Sequence, residues 1–111
     1  VFVELDANRN LYIPNAFSPN GDGANDEFRV YPCIGVTKIL SVNIFNRWGD
    51  LVYQDEGADV SNGLYCSNGL VLWDGRFKDK TLNMGVYVYV IEVEFLDNIR
   101  LVYRGDVSLL R

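Results

Sequence analysis

Hydrophobic and polar residues alternate along several parts of this chain, and this alternation is the pattern of β-strands. The clearest case is residues 86–95, in which Glu92 and Glu94 stand between apolar neighbours. Successive side chains of a strand point to opposite sides of the sheet, so every second residue of this segment shares a face. The face that we predict to point to the core carries Tyr87, Tyr89, Ile91, Val93 and Phe95.

Shorter segments of the same character predict six further strands, at residues 11–17, 27–31, 41–45, 51–53, 99–103 and 107–110. Turn-rich sequences at residues 46–50 and 97–98 join neighbouring strands into hairpins. Pro14 and Pro32 cannot donate an amide hydrogen to a ladder, so we expect them at a sheet edge or at strand ends. Residues 55–70 are rich in Gly, Asn, Ser and Asp and are predicted to form an irregular insertion.

The predicted strands indicate an all-β fold. No segment has the apolar stripe of an amphipathic helix, and the 6 Phe, 2 Trp and 7 Tyr residues favour pleated, half-buried surfaces. A single sheet of this composition would leave one apolar face in water. We therefore predict a β-sandwich of about seven short antiparallel strands.

Length, composition and charge restrict the class of protein further. The 111 residues correspond to one domain, and no apolar stretch is long enough to span a bilayer as a helix. The net charge of −5 makes nucleic acid an unfavourable partner. The first residue is Val1 and the only methionine is Met84, so we expect residues 1–111 to be one domain excised from a longer protein.

Catalysis has little support in the sequence. The chain has no histidine, which excludes the common nucleophile–histidine arrangements and every zinc site that contains histidine. Several carboxylates are present, but acidic residues in loops and on strand exteriors are usually solvated. We predict that the chain is not an enzyme.

The two cysteines, Cys33 and Cys66, leave two interpretations open. A disulfide between them would close a loop of about 34 residues and stabilise the fold by roughly 3 to 4 kcal/mol. Alternatively, both are buried free thiols that behave as small hydrophobic residues.

Residues 18–27 form a loop in which oxygen-bearing side chains alternate with glycines. Calcium prefers six to eight such oxygen ligands, and the candidate ligands are Asn20, Asp22, Asn25 and Asp26. The loop is not an EF-hand, because Ala24 occupies a ligand position and no bidentate glutamate follows. The alternative is a turn in which these side chains bind their own backbone.

The two tryptophans, Trp48 and Trp73, each lie beside a turn. Exposed rings would offer a platform on which sugars stack. We favour the other interpretation, in which each indole fills one end of the sandwich and donates its N–H to a carbonyl.

Taken together, a series of short motifs resembles a known family. The motifs are residues 15–23, 25–28, 44–49, 52–53, 73–75, 85–89 and 105–111. In this order they are similar to the gliding-motility-associated C-terminal domain of Bacteroidetes, which is the type B sorting domain of the type IX secretion system. The departures are an enlarged segment between Tyr53 and Trp73 and the cysteine at position 33.

The resemblance implies an immunoglobulin-like sandwich at the carboxy-terminal end of a large exported protein. It implies a non-enzymatic signal that is recognised by the outer-membrane secretion machinery and directs a covalently linked cargo through the periplasm to the medium or the cell surface. The residues that it marks as the sorting motif are Asn46, Arg47, Trp48, Gly49, Val107, Leu109, Leu110 and Arg111. The alternative function is an adhesion or glycan-binding module of the same fold.

Overall fold

The computed structural model describes residues 11–19, 21, 26–60, 65–77 and 80–110, and these ranges contain eleven β-strands and no helix. Within them, therefore, no helix could cross a membrane. The strands are β1 (Leu11–Tyr12), β2 (Ala16–Phe17), β3 (Phe28–Pro32), β4 (Val36–Phe45), β5 (Leu51–Asp55), β6 (Ala58–Asp59), β7 (Leu70–Trp73), β8 (Arg76–Phe77), β9 (Lys80–Thr81), β10 (Gly85–Phe95) and β11 (Arg100–Leu109).

The larger sheet is built around β10, the longest strand. Its strand order is β2-β11-β10-β4-β5, and β6 pairs with the first part of β4. In β10 the five residues predicted to face the core are buried or half-buried, and Ile91 and Val93 have no exposed surface. The predicted core face is therefore confirmed.

The smaller sheet has the order β1-β3-β7 and supplies the second layer. The core between the layers includes Phe28 and Val30 from β3 and Leu72 and Trp73 from β7. Trp73 is 1% exposed, and its indole N–H donates to the carbonyl of Arg76 at 2.9 Å. The fold is the predicted all-β sandwich, and Trp73 fills its core as expected.

The first predicted strand, residues 11–17, is divided between the two sheets, and this corrects the prediction. β1 pairs with β3, whereas β2 pairs in parallel with β11 on the other sheet. Pro14 lies between β1 and β2, where the chain crosses from one sheet to the other. Because its ring fixes φ and removes a donor, proline suits a break in the ladder. The β2–β11 pair also departs from the all-antiparallel sandwich that we predicted.

Residues 99–110 were predicted as two strands separated at Gly105, and this was wrong. They form the single strand β11, which pairs with β10 without a register shift from Arg100 to Leu109. A Cβ at Gly105 would lie 2.6 Å from the hydroxyl oxygen of Tyr89. Glycine here accommodates the tyrosine ring of the neighbouring strand and does not break the strand.

The segment 55–70 was predicted to be irregular, and it is only partly so. It contains β6, a turn at residues 65–68 and the first residue of β7. A disulfide joins Cys66 of this turn to Cys33, which directly follows β3, with the Cα atoms 4.4 Å apart. Since β3 and β7 are themselves paired, the bridge holds the turn against the smaller sheet.

Candidate recognition surface

The turn between β4 and β5 is held by one asparagine. The Asn46 side-chain oxygen accepts hydrogen bonds from the backbone N–H groups of Trp48 and Asp50, each at 2.9 Å. The backbone closes the same turn through a bond from Asn46 N–H to the Asp50 carbonyl at 2.9 Å. Gly49 has a φ of 88°, which favours glycine. The polar groups of the turn are thus satisfied without the tryptophan ring.

Trp48 projects from this turn into solvent and is 71% exposed. The prediction that its indole fills an end of the sandwich is therefore wrong. The Arg47 guanidinium carbon lies 4.6 Å from the centre of the indole, which is within cation–π distance. The ring is thus held against a neighbouring side chain while much of its surface remains open.

A groove of about 180 Å³ lies beside Trp48. It is lined by residues 46–48, Val52 and residues 82–87, so it joins the turn to the segment that leads into β10. Met84 lies in this segment and is 60% exposed. Among the residues that line the groove, Trp48 and Met84 therefore have large, exposed apolar side chains.

Further exposed apolar residues extend this surface along the larger sheet. Val86 and Leu110 are about half exposed, and the pairing of Gly85 with Leu109 brings Leu110 next to Met84. Leu51 is also exposed and lies in the strand directly after the Trp48 turn. We call this surface the exposed apolar end, and it consists of Trp48, Leu51, Met84, Val86 and Leu110.

The residues marked as a sorting motif thus divide into two groups. Val107 and Leu109 are fully buried and belong to the core, whereas Leu110 and the turn residues from Asn46 to Gly49 are at the surface. Arg111 lies outside the described residues. The fold brings the motif turn and the end of β11 to the same end of the sandwich through the segment between them.

Sequence reasoning did not single out Leu51, Met84 and Val86 as surface residues. The signal for Val86 was present, because it is on the face of β10 opposite the core residues. Nothing in the sequence places Met84 beside Trp48, since only the pairing of β10 with β4 and of β4 with β5 brings them together.

Of the four predicted calcium ligands, Asn20, Asp22 and Asn25 lie outside the described residues. The fourth, Asp26, accepts a hydrogen bond from the backbone N–H of Gly21 through Oδ1, at 3.0 Å. This is the local bonding expected of an Asx-rich turn. Within the described part of the chain, no group of three acidic or cysteine side chains is arranged to hold a metal ion.

Two tyrosines beside the core have raised pKa values. Burial, followed by the negative charges of Asp55 and Asp74, raises the pKa of Tyr53. Burial, followed by the charge of Asp106, raises the pKa of Tyr89. In both cases the neutral phenol is the favoured form, because a buried phenolate near a carboxylate is poorly solvated.

The fold and this surface define a small β-sandwich domain that carries an exposed apolar patch of the kind found at protein-interaction sites. Its sequence matches the model of the CHU_C Type IX secretion signal domain over residues 11–105. The chain belongs to this family, and the predicted resemblance is confirmed.

Comparisons with solved structures and with curated proteins give less information about the function. A solved structure similar to this chain comes from a study of PorZ, described as an essential bacterial surface component of the type IX secretion system of the human oral bacterium Porphyromonas gingivalis. The identity is 24% and the TM-score 0.46, over 97% of this chain but only 12% of that chain. This chain therefore corresponds to about an eighth of that protein's length. A search of curated proteins found no significant match.

Proposed function

We propose that this domain is a non-enzymatic sorting signal that directs a covalently linked cargo protein across the outer membrane. Membership of the secretion signal family supports this role. On this proposal the cargo passes through the periplasm and reaches the medium or the cell surface. A protein of the type IX secretion machinery recognises the folded domain at the exposed apolar end.

The observation that carries the proposal is the convergence of separate segments on one surface. Trp48 lies in the β4–β5 turn, Met84 precedes β10 and Leu110 follows β11, and all three side chains are about half exposed or more. A partner that covers this surface removes apolar area from water, which favours association. Tryptophan and arginine are also the residues that most often dominate binding energy, and here Arg47 and Trp48 are in contact.

The test fuses residues 1–111 to a fluorescent reporter in a bacterium with a type IX secretion system. We expect Trp48→Ala and Met84→Ala to move the reporter from the medium to the periplasm. Tyr12→Ala and Val71→Ala are matched controls, because both side chains are exposed but lie on the smaller sheet. Circular dichroism of each purified variant checks that the fold is unchanged. Normal export of folded Trp48→Ala and Met84→Ala would show that the secretion machinery does not recognise this surface.

The exposed ring of Trp48 also supports the alternative of a glycan-binding module, since sugars stack on accessible aromatic faces. Arg47 covers part of this ring, which reduces the area for stacking. Calorimetric titration with oligosaccharides distinguishes the two functions. Binding that is abolished by Trp48→Ala, together with normal export of this variant, would favour the module.

We further propose that calcium, if bound at the loop of residues 20–26, has a structural role. The absence of histidine, and the surface positions of the carboxylates among the described residues, support a domain without catalysis. Export of a reporter that has no enzymatic activity of its own tests the signal independently of any chemistry in a natural cargo.

A further inference from the structure

One edge of the larger sheet is largely open. β11 pairs with β10 along its whole length, but on its other side only Ser108 and Leu109 pair with β2. Within the described ranges, no strand covers the preceding part of β11, from Arg100 to Asp106. Seven residues of β11 therefore pair with β10 but with no second strand of the described ranges.

The hydrogen bonds to β2 show which backbone groups face this edge. The N–H of Ser108 donates to the carbonyl of Asn15 at 2.9 Å. Backbone groups alternate in direction along a strand, and β11 has no register shift against β10. The N–H and C=O groups of Val102, Arg104 and Asp106 therefore point outward, where they can receive another strand.

The side chains of this edge carry a distinct charge pattern. Arg100, Val102 and Arg104 are all exposed and lie on the outer face of the sheet. No hydrogen bond or ion pair joins either guanidinium to another residue in the described part of the chain, although Glu94 is opposite Arg100 in the register. Among the described residues, two positive charges thus flank an exposed valine, and the negative charge of Asp106 follows them along the strand.

A second copy of the chain fits this edge less well than a short segment of another protein. An antiparallel pair of edges centred on Val102 would place Arg100 of each copy opposite Arg104 of the other, and like charges in direct opposition destabilise a pair. Centring the pair on Tyr103 instead would place Arg100 of each copy opposite Asp106 of the other. Such a pair could not extend past Val107, because Ser108 and Leu109 of each copy already pair with β2.

We propose that the edge of β11 binds an extended segment of a partner protein that has acidic residues opposite Arg100 and Arg104. The segment adds to the sheet as an antiparallel strand, with main-chain hydrogen bonds to Val102, Arg104 and Asp106. An apolar residue of the segment covers Val102. This site is separate from the exposed apolar end and does not depend on the sorting function.

The probe is a peptide written to complement the outward side chains, Lys-Thr-Glu-Thr-Val-Thr-Glu-Thr. In the antiparallel register its lysine faces Asp106, its glutamates face Arg104 and Arg100, and its valine faces Val102. Amide hydrogen exchange of the 111-residue chain is followed by NMR with and without the peptide. Near 90% saturation we expect exchange at Val102, Arg104 and Asp106 to slow about tenfold. The odd-numbered residues of β11, already bonded to β10, should change little.

Two controls test the role of charge. The peptide Glu-Thr-Lys-Thr-Val-Thr-Lys-Thr should bind at least tenfold more weakly, and this comparison needs no change to the protein. The double variant Arg100→Glu, Arg104→Glu should reverse the preference, whereas Lys38→Glu, on the same sheet face but away from the edge, should not. The proposal is overturned if millimolar peptide protects no amide of the edge or if both peptides bind equally. It is also overturned if the odd-numbered amides of β11 are protected as strongly as those of Val102, Arg104 and Asp106.

Discussion

Substitutions of the adjacent residues Leu109 and Leu110 test folding and the proposed recognition separately. Leu109 has no exposed surface and lies close to Gly75, where an added Cβ would be 3.0 Å from its Cδ1 atom. Leu110 is 48% exposed. The substitutions Leu109→Ala and Leu110→Ala remove the same atoms from neighbouring positions of the strand end, so their effects differ only through the environment.

The expected magnitudes differ several-fold. Replacing a fully buried leucine by alanine costs about 2 to 5 kcal/mol, because transfer energy is lost and a cavity remains. A small domain has about 5 to 15 kcal/mol of total stability, so this loss is a large fraction. At roughly 4 °C per kcal/mol for a domain of this size, Leu109→Ala should melt about 8 to 20 °C lower. Leu110→Ala should stay within about 0.5 kcal/mol of the parent.

The assay combines urea unfolding, followed by circular dichroism, with export of the reporter fusion. Leu109→Ala should lose stability, and its export should fall in proportion to the fraction unfolded. Leu110→Ala should remain stable and nevertheless be exported less, because the exposed apolar end is smaller. If Leu110→Ala were exported normally, or if Leu109→Ala kept the parental unfolding midpoint, our assignment of the two residues would be refuted.

Three further predictions concern the bridge, the loop and the tyrosines. Intact mass with and without reductant should show Cys33 and Cys66 oxidised in the exported protein, and reduction should cost about 3 to 4 kcal/mol of unfolding free energy. If the glycine-rich loop binds calcium, millimolar calcium should raise the melting temperature and Asp22→Ala should abolish that rise, whereas an unchanged melting curve would favour the plain turn. The raised pKa values of Tyr53 and Tyr89 mean that their contribution to stability is complete below pH 10 and is lost as the pH rises further. Unfolding midpoints of the Tyr→Phe variants above pH 10 should therefore fall less steeply than those of the parent, and equal slopes would contradict this.

Local pattern was sufficient where a strand has a consistent environment along its length. β10 lies at the centre of the larger sheet, with β11 on one side and β4 on the other. Its apolar face is therefore buried almost continuously, and the period of two in the sequence follows that burial. Local sequence was also sufficient for the hairpin turn at residues 97–98. Asn98 adopts a φ of 65° in this turn, a conformation that asparagine tolerates.

Local pattern failed where a distant strand determines the conformation. The local sequence at Gly105 predicts a break of the strand. In the structure, the space next to Gly105 is occupied by the ring of Tyr89 from the neighbouring strand. The short strand β6 exists because Lys38 and Ile39 of β4 offer it a ladder. These contacts join residues far apart in the sequence, so no window of neighbouring residues contains the information.

The two tryptophans show how position relative to a turn decides burial. Trp73 is the last residue of β7, so the strand aims its ring into the core. Trp48 lies inside a turn whose backbone groups are bonded to Asn46 and to each other, and the turn closes without the indole. Because the Trp48 ring is 71% exposed, it contributes little to the stability of the fold, and its large apolar area stays in water beside Met84. The exposed Trp48 ring lies at the end of the sandwich where β11 also ends. Contact with another protein explains the presence of this ring better than a contribution to the stability of the domain does.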